Sequence, residues 1–289
     1  MKLLITGAEG QLGRSLQEAL RVKDLAFLSQ SHKDLDITDL RAVEKVFSKS
    51  KPDVILNAAA YTNVEHAELD PKKAFLINDT GARNLAIVAR ETSSRLIHFS
   101  TDYVFSGINV KPWQIDDEAK PLSVYGKSKL AGEIAIMEEF SENSLIIRTS
   151  WLYSPYGDNF YKKILKLALS DNNPLNVVND QFGQPTNAED LSNLVISALY
   201  KEVFPGIYHG ANSGATTWYD FAVEIFKLAG AETDRIKAIC TKDYKTKASR
   251  PEYSVLENSK WETFGIKPLV SWEESVERAF PAIRESMGK

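Results

Sequence analysis

Residues 2–13, KLLITGAEGQLG, restrict the possible fold more than any other stretch. Leu3, Leu4 and Ile5 are apolar without alternation, so the strand they predict is buried on both faces, as in a parallel sheet covered by helices. Gly7, Gly10 and Gly13 then open a helical pattern carried by Leu12, Leu16 and Leu20. A strand, a tight turn and a helix in that order bring backbone close to a pyrophosphate, whose charge is favoured by the free N–H groups and positive end of the helix. The spacing GxxGxxG is looser than the usual dinucleotide fingerprint. Its place straight after a strand still makes Gly7, Gly10, Gln11, Leu12 and Gly13 candidate nucleotide-binding residues.

The same rhythm continues. Strands are predicted over 25–28, 53–57, 95–100 and 145–148, with helices over 40–48 and 71–92 and a further helix carrying Tyr125. Right-handed crossovers then require a parallel sheet. After residue 154 the pattern changes to a helix over 159–170, a short strand within 174–180, a loop over 181–186, a helix over 187–200, a strand over 206–210 and a mainly helical remainder. The expected architecture is α/β: a Rossmann-like doubly wound parallel sheet with a smaller interleaved C-terminal substrate domain. Residues 1–153 would form the NAD(P)-binding part, with the segment near 187–211 returning to it, and 154–186 and 212–289 the substrate-binding part.

Ligands bind such sheets at the carboxyl ends of the strands. After the second strand, Ser29-Gln30-Ser31-His32-Lys33 contains no acid to hold an adenine ribose, so a 2′-phosphate is tolerated and NADPH is expected, with NADH also accepted. Asp36 and Ile37 are placed to meet the adenine, while Thr38 or Asp39 can cap the next helix. At the end of the third strand, Ala58, Ala59 and Ala60 permit close approach of a cofactor, and Tyr61, Thr62, Asn63 and Val64 follow on the loop. Ser100 and Thr101 end the fourth strand and lead to Asp102 and Tyr103.

Tyr125 and Lys129 lie four residues apart in PLSVYGKSKLAGE, so a helix puts them on one face. An ammonium beside a phenol favours the phenolate, which would bring a group of ordinary pKa about 10 toward the working range of a general acid-base.

Composition narrows the remaining classes. A net charge of −4 without any basic block argues against a nucleic-acid partner. The single cysteine, Cys240, cannot form an internal disulfide or a clustered thiolate site and fits a reducing cytoplasm. No apolar run reaches membrane-spanning length, so a cytoplasmic protein with no membrane partner is expected. The four histidines, His32, His66, His98 and His209, show no ligand spacing; His98 sits within an apolar strand and reads as structural, and no metal is assigned.

The glycine turn, the Asn57–Ala60 strand end, Thr101 and the Tyr125/Lys129 helix together resemble the extended short-chain dehydrogenase/reductase family. The resemblance runs nearly end to end and is narrowed by LDITD at 35–39, NAAAYTNVEHAE at 57–68, STDYVFSG at 100–107, RTSWLY at 148–153, VVNDQFGQPT at 177–186 and SRPEYSVLENSK at 249–260. It implies a Thr101, Tyr125, Lys129 triad and a deoxythymidine diphosphate (dTDP) sugar bearing a 4-keto group, reduced to dTDP-L-rhamnose by hydride from NAD(P)H. Tyr125 would protonate the carbonyl oxygen, Thr101 hydrogen-bond it, and Lys129 hold the nicotinamide ribose. Thr62, Val64, Asp102, Tyr103 and Trp151 resemble the family's sugar-nucleotide contacts, and Arg250 suits a substrate diphosphate.

Some relatives form Mg²⁺-bridged dimers through an acid where this chain has Ser15, together with acids resembling Glu189 and Asp190. Ser15 removes one carboxylate, which makes that bridge doubtful and leaves a monomer or homodimer open. Two rival readings share the fold: a nucleotide-sugar epimerase, and a non-catalytic NADP-binding subunit resembling the regulatory beta subunit of methionine adenosyltransferase. A dehydratase would place an Asp-Glu pair after the threonine, where this chain has Asp102-Tyr103.

Overall fold

The computed structural model describes residues 1–170 and 173–288. Strands β1 (Leu3–Thr6), β2 (Phe27–Gln30), β3 (Val54–Asn57), β4 (Arg95–Thr101), β5 (Ser144–Thr149) and β6 (Gly206–His209) form one sheet in the order β6-β5-β4-β3-β1-β2, every adjacent pair parallel. The chain runs from β1 outward to β2, then crosses back to place β3 on the other side of β1. That reversal opens a crevice at the carboxyl ends of β1 and β3, where open α/β sheets bind ligands.

Each central strand is apolar on both faces because each face is covered. Leu3 and Ile5, Val54 and Leu56, Ile97 and Phe99, and Leu145 and Ile147 enter one core with α1 (Gln11–Val22). Leu4, Ile55, Leu96 and Ile146 face the other way, toward α2 (Leu40–Ser50), α3 (Gly81–Glu91) and α4 (Val124–Phe140). Burying one such aliphatic side chain stabilises by roughly 1.5–3 kcal/mol.

Beyond β5 come α5 (Phe160–Ser170), α6 (Ala188–Tyr200), α7 (Trp218–Ala229) and α8 (Trp272–Ser286). Helix α6 joins the core of α1 through Leu191, Leu194 and Val195, and β6 then adds to β5. Helices α5, α7 and α8 instead enclose a separate core of Tyr161, Leu165, Phe221, Phe226, Trp272 and Val276. Around it are only two-stranded ladders: Leu175–Val178 with Ile236–Ile239, Phe182–Gly183 with Thr216–Thr217, and Leu152–Tyr153 with Thr186–Asn187. No helix among the described residues is long and apolar enough to cross a membrane.

Two local departures have clear causes. Leu25 donates its N–H to Leu20 O and so closes the turn after α1, which starts β2 at Phe27 instead of residue 25. The helix expected over 71–92 is interrupted by a π turn at Leu76–Thr80. Asn78 in that turn accepts from Tyr61 N at 2.8 Å and donates to Tyr61 O and to Ser128 Oγ at 3.0 and 2.9 Å, so the turn ties the loop after β3 to α4.

Candidate active site

The first turn is built for close approach. Gly7 has φ +65°, and a Cβ there would lie 2.5 Å from Ala59 N. A Cβ at Gly13 would collide with Gly7 O, so α1 packs directly on its own turn. Gly10 is the N-cap of α1, no acid occupies its first helical turn, and Gly10, Gln11 and Leu12 line a cleft of about 480 Å³. The side chain of Gln11 is already engaged: its Oε1 accepts from Asn159 Nδ2 at 2.8 Å and from Ser154 Oγ at 3.2 Å.

Ala58, Ala60, Thr62, Val64, Ser100, Thr101, Asp102, Tyr103, Tyr125, Lys129 and Trp151 line the same cleft. Other expected residues do not. Ala59 lies behind it against Gly7, and Tyr61 is fastened by Asn78 with its hydroxyl 2.6 Å from His66 Nδ1. Asp36 is exposed and accepts from Thr38 N and Oγ1 at 3.0 and 2.8 Å, which holds its carboxyl below the usual range. Ile37 is buried against Gly81. On this side Asp34, just past Ser29–Lys33, accepts from Ser31 N and Oγ and lines a second cavity with Ser29, Ser31 and Arg14.

Helix α4 is set in place by glycines and a cap. Ser123 accepts from Gly126 N at 3.1 Å, and Glu68 accepts from Val124 N at 2.8 Å. A Cβ at Gly126 would collide with Tyr103 O, and one at Gly132 with Asn78 O. The helix therefore lies directly on the turn after β4, bringing Tyr125 beside Thr101 and edge-on to the Tyr103 ring at 5.7 Å.

Electrostatics depart from the expected pairing. Lys129 does not lower the Tyr125 phenol; burial pushes Tyr125 up to about 12, opposed by a hydrogen bond with Thr101. The reason is geometric: Lys129 Nζ turns to β4, donating to Phe99 O at 2.7 Å and lying 3.1 Å from His98 Nε2. Burial brings Lys129 down to about 8, opposed by the charge of Glu133. Glu133 is itself held by Arg148 of β5, with N···O distances of 2.7–3.2 Å. Burial also raises Asp102 to about 7, while Thr101 Oγ1 donates to its Oδ1 at 3.0 Å. A protonated Tyr125 is the form a carbonyl reduction starts from, because the acid must hold the proton it delivers.

The far wall is aromatic. Trp151 adopts φ +44°, an unfavourable value for a bulky residue that costs on the order of 1–3 kcal/mol, and its indole stacks on Trp218 at 3.5 Å and 9°. Gly183 leaves room for that ring. Val64, Tyr103 and Trp218 continue into an adjoining cavity of about 430 Å³ that also touches Phe160, Gln181 and Arg250. Arg250 Nη2 donates to Glu65 Oε1 at 2.7 Å, and Lys247 N to Glu65 Oε2 at 2.9 Å. No spacing announces the contacts of Trp218, Gly183 and Glu65, which join distant loops.

The residues present fit a dinucleotide: a helix end free of acids, a glycine turn that cannot accept a Cβ, and two buried hydroxyls, Ser100 Oγ and Thr149 Oγ1, with no partner among the described residues. Among the described residues no group of three or more His, Cys, Asp or Glu is placed to hold a metal ion. Ser15 Oγ donates to Gln11 O, and Asp190 accepts from Arg278, Ser275 and Asn212 within the chain.

Residues 1–284 match the family described as the RmlD substrate binding domain. The chain is 40% identical over 290 residues to the dTDP-4-dehydrorhamnose reductase of Salmonella typhimurium, covering 96% of each chain. It is 38% identical to the dTDP-4-keto-6-deoxy-D-glucose reductase of Streptomyces niveus over 97% of this chain and 96% of that one. A crystal structure of dTDP-4-dehydrorhamnose reductase from Bacillus anthracis in complex with NADP superposes with a TM-score of 0.93 at 36% identity, over 97% of this chain and 98% of that one.

Proposed function

Because this chain belongs to the RmlD substrate binding domain family, we propose that it reduces the 4-keto group of dTDP-4-dehydro-L-rhamnose to dTDP-L-rhamnose with NADPH, NADH also being accepted. The observation that carries the reading is one cleft holding Thr101, Tyr125 and Lys129 opposite the glycine turn at the end of β1. Residues 1–153 with 187–211 would hold the cofactor, and 154–186 with 212–289 the sugar nucleotide. The protein acts in the cytoplasm as a monomer or homodimer.

In this reading the N–H groups of Gly10, Gln11 and Leu12 would hold the pyrophosphate, and Ala58 and Ala60 would give the cofactor room beside backbone. Asp36, Ile37, Ala59 and Tyr61 act from behind, by shaping the loops. When bound, reduced nicotinamide supplies a hydride. Tyr125 gives its hydroxyl proton to the carbonyl oxygen as that oxygen gains negative charge, and Thr101 stabilises the same oxygen by hydrogen bonding. Lys129 holds the nicotinamide ribose.

Thr62, Val64, Asp102, Tyr103 and Trp151 orient the sugar, with the stacked Trp151 and Trp218 giving it an apolar wall. The adjoining cavity is of a size for the nucleoside, and Arg250 would exchange Glu65 for the diphosphate.

The test is consumption of NADPH, followed by its ultraviolet absorbance, with freshly generated dTDP-4-dehydro-L-rhamnose. Stoichiometric loss with dTDP-L-rhamnose formed is expected. No loss, in protein shown to bind NADPH, would sink the reading.

A further inference from the structure

The loop after β3 ends in a single helical turn, Val64–Ala67, which Asn63 starts by accepting from His66 N at 3.0 Å. That turn divides its side chains. Val64 lines the cleft and the adjoining cavity, whereas Glu65 lines a separate depression with Lys245, Thr246 and Lys247. Among the described residues the charged side chains that line the adjoining cavity are Lys163 and Arg250, and none is an acid. Glu65 thus stands next to a cationic cavity without entering it.

Its two oxygens hold one end of the segment 241–250. Oε2 accepts from Lys247 N at 2.9 Å and Oε1 from Arg250 Nη2 at 2.7 Å. The other end is tied separately: Thr241 N and Oγ1 donate to the Asp180 carboxylate at 2.6–2.9 Å, and residues 242–247 between the two ties are all exposed. The Arg250 guanidinium also hydrogen-bonds Tyr103, a residue of the cleft wall. It is therefore aimed at the cavity by Tyr103 and neutralised by Glu65.

The neutralising contact is a weak one. Glu65 gives the guanidinium a single oxygen, and its side chain is 40% exposed. A diphosphate brings more than one negative charge and several oxygens that match the guanidinium fork, so it can displace the carboxylate. Lys247 N–H keeps Glu65 and the segment in place while it does so.

We infer that Glu65 is a positioning residue that stands in for the diphosphate between catalytic cycles: it keeps Arg250 in place and, by competing for the guanidinium, limits how tightly the nucleotide is held and so speeds product release. The inference rests on the dTDP-sugar reading, from which Arg250 takes its ligand. A carboxylate that only tied down the segment would act oppositely, since its loss would loosen every ligand.

The test measures binding of dTDP and of thymidine, which lacks the diphosphate, by calorimetry and ligand-observed NMR at low ionic strength. Glu65→Gln removes the charge and keeps the size, so dTDP should bind about fivefold tighter, the scale of a partly exposed charge contact, with thymidine unmoved. Arg250→Met should weaken dTDP by about tenfold, and in that background Glu65→Gln should bring less than about a twofold gain, because no guanidinium is left to compete for. Unchanged or weaker dTDP binding in Glu65→Gln overturns the inference. An equal gain for thymidine, or a full gain without Arg250, does so too. Glu65→Ser carries the same expectations if the glutamine variant does not fold. If Arg250→Met leaves dTDP binding unmoved, Arg250 is not the diphosphate ligand and the inference falls with it, whereas the reductase reading is judged separately by NADPH consumption in the unaltered protein.

Discussion

The parallel sheet and the smaller core enclosed by α5, α7 and α8 supply the two walls of one cleft by different means. In the first, every site residue follows a strand or the start of a helix: Gly10 after β1, Ala58 after β3, Thr101 ending β4, Tyr125 opening α4. Register between parallel strands carries these ends to one edge, so geometry is inherited from the sheet. In the second, Trp151, Gly183 and Trp218 come from separate segments joined by two-residue ladders, and what positions them is ring packing. A wall set by register resists change in backbone and tolerates change in side chains; a wall set by packing does the reverse.

The proposed function puts the chemistry in the first wall and makes Tyr125→Phe the largest effect. Removing one hydroxyl should lower kcat by about a thousandfold, within the usual contribution of a positioned proton donor, with NADPH affinity and thermal midpoint unchanged. Turnover within tenfold of the parent would move the proton donor elsewhere.

Next comes Glu133→Gln, which leaves the Arg148 guanidinium buried without its carboxylate. Chemical denaturation should report a loss of about 3–5 kcal/mol. A loss below 1 kcal/mol would mean that Ile115 O and the Phe105 ring, which also contact Arg148, suffice to hold it.

Smallest and most local is Gly183→Ala. The added Cβ would meet the Trp151 indole, so KM for the sugar nucleotide should rise by about tenfold while the NADPH dissociation constant stays put, the pattern of lost ground-state binding. If NADPH affinity falls as well, the two walls are coupled and the contrast between them is weaker than drawn.

The same contrast explains what was legible beforehand. Strand order, the glycine turn and the Tyr125 helix follow from apolar periodicity and from spacing within one element, and the comparisons with relatives agree on the fold they imply. Spacing within α4 correctly puts Tyr125 and Lys129 on one face, yet it is silent on what approaches from across the sheet. Phe99 O and His98 capture the lysine, and burial, absent from any local pattern, raises the phenol. Arg250 was readable as an anion binder, but its partner Glu65 lies far away in the sequence and only the folded chain brings them together. Asp34 escaped because a turn, not the strand, aims its carboxylate.

The late return of the chain to its first sheet has a consequence for synthesis. β5 is complete at Thr149, but its partner β6 begins only at Gly206. At translation speeds of about 5–20 residues per second, several seconds separate the two. Through that interval Leu145, Ile146 and Ile147 form an unpaired margin of a sheet whose other strands have already emerged. Open margins of this kind invite pairing with other chains. The nascent protein therefore meets its greatest risk of aggregation before its last lobe exists, and β6 acts as the closing seam of the first.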